Sequence, residues 1–312
     1  MKILLTGGAG FIGSHVADLL IEEGHKVIII DNFSTGKEAN LNQSATIYPL
    51  DILDEKVEEV FVRERPEILN HHAAQVNVRE SVRDPIFDLE INIRGTVHLL
   101  ELSRKYGVKK IIFASSGGAI YGEQNHFPAR EDHPLRPLSP YGISKLAGEN
   151  YLYYYQQTFG IPSVSLRYAN VYGPRQDPFG EAGVVAIFTQ KMLAKEQPII
   201  NGSGEQTRDY VYVDDVARIN LMVLKDGITG AFNVGTGKET TVNYLFQRIK
   251  SLTQSEAQEI HGEPQKGEQL RSVLSFEKAR QALGWEPLIE LDEGLEKTVK
   301  SFKSALKKDN AK

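Results

Sequence analysis

No cysteine occurs anywhere in the 312 residues. That excludes disulfide bridges, thiolate metal sites and a cysteine nucleophile, and it fits a cytoplasmic setting. Long apolar runs are missing too. Hydrophobic residues make up 41% of the chain but come in short stretches, so neither a transmembrane helix nor a signal peptide is expected. The apolar stretch at the start reads instead as a strand, because glycines follow it at once. Charge is not in excess: a net −5 with 25% charged residues gives no electrostatic footprint for nucleic acid. There is no long linker, internal repeat or low-complexity tract. What remains is an ordinary globular composition, long enough for one large or two intimate domains with an ample core.

What is present begins at the first residue. Ile3, Leu4 and Leu5 read as a short strand running into Gly7, Gly10 and Gly13, then into an amphipathic helix through Val16, Leu19, Leu20 and Ile21. Glycines at this spacing allow a tight turn, close approach to a pyrophosphate and close helix–strand packing. The helix start would offer N–H groups and a positive dipole end to the anion. A second strand, Lys26 to Ile30, ends in Asp31, 18 residues past Gly13. A carboxylate there bonds ribose hydroxyls and repels a 2′-phosphate, which favours NAD over NADP.

The second informative feature is Tyr141 with Lys145 in Ser139-Pro140-Tyr141-Gly142-Ile143-Ser144-Lys145. Four residues apart on a helix, phenol and ammonium share one face. A cation at that range favours the phenolate and brings a tyrosine toward service as a general base. Tyr106 and Lys110 have the same spacing, but Gly107 and the following basic run place them at a helix end entering a strand, and the pair reads as accidental.

The chain alternates strand and helix in its first half. Strands are expected near 2–6, 26–30, 46–49, 67–72, 109–114 and 163–168, and helices near 11–23, 54–64, 86–105 and 140–159. That rhythm predicts an α/β fold, a Rossmann-type doubly wound parallel sheet with ligands at the carboxyl ends of the strands, joined to a smaller mixed α/β substrate domain. The expected division is 1–168 for the NAD-binding domain, with a returning segment near 209–234, and 169–208 with 235–312 for the second domain. Trp285 is expected to pack in the second.

Thr6-Gly7-x-x-Gly10-x-x-Gly13, Asp31-Asn32, Asp51-Ile52, Ala73-Ala74, Asn92, Ser115-Ser116 and Tyr141-x-x-x-Lys145, in this order, resemble the extended short-chain dehydrogenase/reductases. Arg167 to Arg175, Arg208 to Val216 and Leu283-Gly284-Trp285-Glu286-Pro287 are similar to their nucleotide-sugar branch, with the UDP-glucose 4-epimerases nearest. The resemblance implies an NAD-dependent isomerase interconverting UDP-glucose and UDP-galactose through a transient 4-keto sugar. It implies that Gly7, Gly10, Phe11, Ile12 and Gly13 hold the cofactor pyrophosphate. Asp31, Asn32, Ser34, Thr35 and Gly36 would take the adenosine ribose, and Asp51 and Ile52 would flank the adenine. Ala73, Ala74, Gln75, Asn92 and Ser115 would line the middle of the cofactor, and Tyr168 would lie by the nicotinamide. Tyr141 is implied as the base, Lys145 as its partner and a bond to the nicotinamide ribose, and Asn170 and Arg208 as contacts to the substrate pyrophosphate. A homodimer through helices around Tyr151, Tyr153, Tyr154 and Tyr155 is implied as well.

Four features stand out. The family's hydroxyl-bearing residue falls on Gly117, so Ser116 is expected to take part in catalysis, with Gly117 beside it at the substrate. Gly118, Ala119 and Ile120 lack the acid that related dehydratases and decarboxylases carry there. The arginine expected for the pyrophosphate is Gln265, leaving Lys266 or Arg271 as replacements. Ser272 is small where a bulky residue excludes N-acetyl sugars in some relatives, which leaves UDP-GlcNAc and UDP-GalNAc as further substrates. UDP-glucuronate 4-epimerisation, another nucleotide-sugar modification and non-catalytic dinucleotide sensing are the alternatives. No metal is expected. Asp214-Asp215 read as a helix start with capping and dipole roles, and His71-His72 as packing near the cofactor.

Overall fold

The computed structural model describes residues 1–179, 183–264 and 269–309. Gln265 and Lys266 lie outside the described residues. The chain begins with β1 (Lys2–Thr6), α1 (Phe11–Glu22), β2 (Lys26–Ile30), β3 (Thr46–Tyr48), α2 (Val57–Glu64) and β4 (Ile68–His71). Then come α3 (Val78–Arg83), α4 (Pro85–Leu89), a π-helical turn at Glu90–Arg94, α5 (Gly95–Tyr106), β5 (Lys110–Ser116), α6 (Gly117–Ile120), α7 (Pro140–Phe159) and β6 (Ser163–Tyr168). The stretch expected as one helix over 86–105 is therefore broken. Asp84-Pro85 starts a new helix, with the Asp84 carboxylate capping the Phe87 N–H at 2.9 Å, and the π turn sets Asn92 inward.

The remainder holds β7 (Asn170–Tyr172), α8 (Val184–Leu193), β8 (Ile200–Asn201), β9 (Thr207–Arg208), β10 (Tyr210–Tyr212), α9 (Val213–Met222) and β11 (Gly230–Val234). After these come β12 (Thr240–Thr241), α10 (Val242–Thr253), β13 (His261–Gly262), β14 (Arg271–Ser272), α11 (Glu277–Leu283) and α12 (Leu291–Asp309). Seven strands form a parallel sheet in the order β11-β6-β5-β4-β1-β2-β3. Its order reverses between β1 and β4, and a crevice opens at such a point beyond the strand ends.

Alternation along the strands divides the core. Ile3 and Leu5 of β1 face a cluster with Val16 and Leu20 of α1, Val216 and Ile219 of α9, and Ala279 and Leu283 of α11. Leu4 faces the opposite cluster, with Phe61 of α2, Leu99 and Leu100 of α5, and Leu152 and Tyr155 of α7. A third core gathers α8, α10 and β10 around Tyr172, Phe188, Phe246 and Leu295. Trp285 corrects an expectation: it lies in the first cluster, against the main sheet, and its Nε1 donates to the Asp215 carbonyl at 3.0 Å. The 283–287 segment returns to the sheet with α11, so the indole meets α9 instead of the third core. No helix among the described residues is long and apolar enough to cross a membrane.

Candidate active site

A cavity of about 980 Å³ runs past the carboxyl ends of the main sheet's strands and on to β7, β8 and β9. At its first end lies the glycine turn. Gly7 has φ +72°, and a Cβ on Gly13 would sit 2.1 Å from the Gly7 carbonyl oxygen. The turn thus needs glycine at 13 for the helix to approach so closely. Helix α1 starts at Gly10 without a side-chain cap, so its first N–H groups, whose residues Phe11, Ile12 and Gly13 line the cavity, have no intrahelical acceptor. An uncapped helix start beside a glycine cradle fits a dinucleotide pyrophosphate.

Asp31 follows on the cavity wall. Its carboxylate accepts from the Ala9 N–H and the Phe33 N–H, both at 2.9 Å, which fixes it between the glycine turn and the loop after β2. Asn32, Ser34, Thr35, Asp51 and Ile52 continue that wall, with Asn32 Nδ2 donating to Asp51 at 2.7 Å. This end fits an adenosine ribose and base. Gly36 does not line the cavity: it packs under Asp31, where a Cβ would come within 2.8 Å of the carboxylate and of Ala9.

The middle of the cavity is walled by His72, Ala73 and Ala74 at the end of β4, by Ala114, Ser115 and Ser116 at the end of β5, and by Tyr168 at the end of β6. Gln75 and Asn92 lie behind this wall. The Asn92 amide accepts from the Gln75 N–H and donates to the Gln75 carbonyl, both at 2.9 Å, clamping the turn that presents Ala73 and Ala74. Burial drives the His72 pKa down to about 4 and lowers that of His71 as well, so both rings are neutral. His71 spans Thr6 and Thr96 at 2.7 and 3.0 Å. Among the described residues no three His, Asp or Glu side chains gather as a metal site.

Tyr141 and Lys145 stand on one face of α7 and line the same cavity. Ser139 caps this helix, accepting from the Gly142 N–H at 3.1 Å, and Pro140 opens its first turn. Gly148 lets the helix descend onto β5, since a Cβ there would meet the Phe113 ring at 2.6 Å. Lys145 is consequently buried, with Nζ donating to the Ala114 carbonyl at 2.9 Å and lying 5.8 Å from the centre of the Tyr141 ring. Burial lowers the Lys145 pKa to about 8, opposed by the charge of Asp88. Tyr106 and Lys110 part company: the phenol donates to Glu58 and the ammonium to the Lys225 carbonyl.

Ser116 faces the cavity, but Gly117 does not: its Cβ direction points at Leu274, 2.4 Å away. The neighbouring Gly118 lines the cavity, and its Cβ direction is open apart from Asn170 Oδ1 at 3.9 Å. At the far end lie Asn170, Arg208, Asn201, Gln206 and Tyr210. Arg208 is carried beside Asp209, a buried carboxylate that accepts from Thr236, Gly237 and Leu274. Arg271 points elsewhere. Its guanidinium is paired with Glu239 at 2.7 and 2.9 Å and stacks on Phe127 at 3.8 Å. Ser272 is buried off the cavity, and Gln269 supplies the wall instead.

Asp214 and Asp215 are not the cap of α9; Tyr212 holds that position. They occupy the first turn and diverge. Asp214 lies 3.4 Å from His15, while Asp215 accepts from the Leu288 and Ile289 N–H groups. Reading the sequence missed Gln176 and Asp177 on the cavity wall. Their loop is tied across the mouth by Lys37–Asp177 at 3.2 Å and Arg175–Asp18 at 2.7 Å; its Gly, Pro and Asp content was the available signal.

A model of the NAD dependent epimerase/dehydratase family matches residues 3–235. A UDP-glucose 4-epimerase of Mycolicibacterium smegmatis is 42% identical, over 97% of this chain and 99% of that protein. Among solved structures, the UDP-glucose 4-epimerase of Thermotoga maritima with UDP-glucose is 52% identical, with a TM-score of 0.96 over 98% of this chain and 100% of the other. The Thermus thermophilus UDP-glucose 4-epimerase in complex with NAD is 44% identical, with a TM-score of 0.94 over the same shares.

Proposed function

Since the chain belongs to the NAD dependent epimerase/dehydratase family, we propose that it interconverts UDP-glucose and UDP-galactose at C4 of the hexose. It is an NAD-dependent isomerase of nucleotide sugars. The observation that carries the reading is the placement of Tyr141 and Lys145 on one face of α7, at the wall of a cavity that starts in the glycine turn.

When bound, NAD supplies the reversible redox chemistry at C4 and is regenerated in each turnover. The glycine turn and the start of α1 hold its pyrophosphate, and Asp31 holds the adenosine ribose. Tyr141, as phenolate, takes the proton of the 4-hydroxyl and later returns it to the 4-keto sugar; the Lys145 cation favours that phenolate. Ser116 lines the same cavity and supplies the hydroxyl of this step. Asn170 and Arg208 orient the UDP pyrophosphate, a task for which the guanidinium fork is suited. Gly118 and Ala119 bring no carboxylate to the cavity, which favours epimerisation over dehydration. The exposed Tyr151, Tyr153, Tyr154 and Phe159 on α7 support a homodimer through this helix. Light scattering that gives a monomer mass at micromolar concentration would refute that arrangement.

Proton NMR of the purified protein with UDP-galactose, without added NAD, tests the activity. Growth of the gluco anomeric signal is expected, with its loss by at least ~10³-fold in Tyr141→Phe while NAD stays bound. A wild-type protein inert with UDP-galactose even after NAD is supplied would end the UDP-hexose reading. Full turnover by Tyr141→Phe would end the assigned mechanism.

A further inference from the structure

Asp88 of α4 is fully buried and does not line the cavity. Its carboxylate nevertheless collects three side-chain donors from three places. Ser144 Oγ donates at 2.6 Å, Gln75 Nε2 at 2.9 Å and Asn92 Nδ2 at 3.0 Å. Ser144 stands between Tyr141 and Lys145 on α7, whereas Gln75 and Asn92 clamp the turn that presents Ala73 and Ala74. One carboxylate thus ties the catalytic helix to the cofactor wall opposite.

We propose that Asp88 is a positioning residue of this site, fixing α7 against the turn after β4 and supplying the counter-charge that keeps Lys145 cationic. The proposal rests on Tyr141 and Lys145 being the acid–base pair of the reaction. A buried charge is costly unless donors and an opposite charge compensate it, and here both requirements converge on the same place. The other groups facing Lys145 cannot take over the electrostatic part. His71 of β4 is buried with its pKa lowered, and half-buried His72 just after it has a pKa lowered to about 4, so neither brings a charge. From β5 come only the Ala114 carbonyl and the Phe113 ring. On α7 itself, Glu149 is committed to Arg167 and Ser115. Asp88 remains as the negative group that favours the lysine cation.

The test uses the protein purified with its cofactor and compares wild type with Asp88→Asn, Asp88→Glu and Ser144→Ala. Two readouts are taken: the pH dependence of kcat with UDP-galactose, and the titration of Lys145 by ¹³Cε-lysine NMR, its signal assigned from Lys145→Arg. For Asp88→Asn, kcat at pH 8 is expected to fall at least ~10-fold with KM within about twofold, and the alkaline limb and the NMR midpoint to move down together by about one unit. Ser144→Ala loses the tie but keeps the charge, so kcat falls while both midpoints stay. An Asp88→Asn midpoint coincident with wild type overturns the proposal. If that variant does not fold, Asp88→Glu decides: a wild-type midpoint supports the counter-charge, and a lowered one overturns it. A wild type without epimerase activity would defeat the functional reading alone, because the NMR titration still judges Asp88.

Discussion

Neutralising Glu149 should cost far more than its single position implies. Glu149 lies two turns beyond Tyr141 on α7, and its carboxylate is 9% exposed opposite an Arg167 side chain that is 6% exposed. The guanidinium donates to it from Nε at 3.0 Å and from Nη2 at 2.7 Å, and Ser115 Oγ donates at 2.5 Å. Burial opposes the charge on Arg167, yet the bonds and charge of Glu149 hold its pKa above the ordinary value. In Glu149→Gln one amide oxygen can still accept from the guanidinium, alongside the Tyr121 hydroxyl and the Glu131 carbonyl at 2.9 and 3.1 Å, but the neutralising charge is gone and an amide N–H replaces the second acceptor. An orphaned buried charge of this kind costs ~3–5 kcal/mol. At ~2.1 cal/mol/K per residue, the unfolding entropy of 312 residues is ~0.65 kcal/mol/K, so the melting temperature should fall by ~5–8 °C. Differential scanning calorimetry of the NAD-saturated protein measures it. Adding Arg167→Met removes the orphaned cation and should recover at least half of the loss. A single variant within ~1 °C of wild type, or a double variant worse than the single, would show that Glu149 does not neutralise a buried Arg167 cation.

Two further outcomes follow from the same site. Gly13→Ala must displace the turn, because its Cβ would lie 2.1 Å from the Gly7 oxygen; NAD affinity by fluorescence titration should weaken by at least ~100-fold, and an unchanged affinity would show that NAD does not depend on this close approach. Epimerase activity should fall as pH rises through about 8, where buried Lys145 loses its proton. The same group acts oppositely on stability: between about 8 and its ordinary 10.5 the unfolded chain holds a proton that the folded one has released, so stability from this lysine rises with pH. Turnover still climbing at pH 9.5 would contradict the assignment of Lys145 as an essential cation.

Much of the sheet was legible because its strands are short, apolar and set off by glycines. The expected strands at 2–6, 26–30 and 163–168 coincide with those formed. The glycine turn and the tyrosine–lysine face were readable for a similar reason: both are local geometries, fixed by spacing within one turn or one helix. Contacts between distant segments were less readable. Trp285 joined the main sheet because α11 returns to it, and neither periodicity nor composition reports such a return. Ser272 and Arg271 matched by position, but a strand pairing turned one inward and Glu239 drew the other aside. Asp88 escaped notice because its three donors come from β4's exit, the π turn and α7, and no spacing along the chain brings them together.

The place of β11 has a consequence for how the protein is made. This strand seals β6 along the full length from Gly230↔Val164 to Val234↔Tyr168, yet it leaves the ribosome more than sixty residues later. Until then the growing chain carries a nearly finished sheet whose β6 border, in addition to the β3 edge, shows unpaired N–H and C=O groups, the kind of template that recruits other chains. A fragment ending at residue 168 would keep that border permanently. The main sheet is therefore assembled from segments that are not contiguous in sequence: β11 follows α9 within 213–234, and the core on that side is completed by Ala279, Leu283 and Trp285.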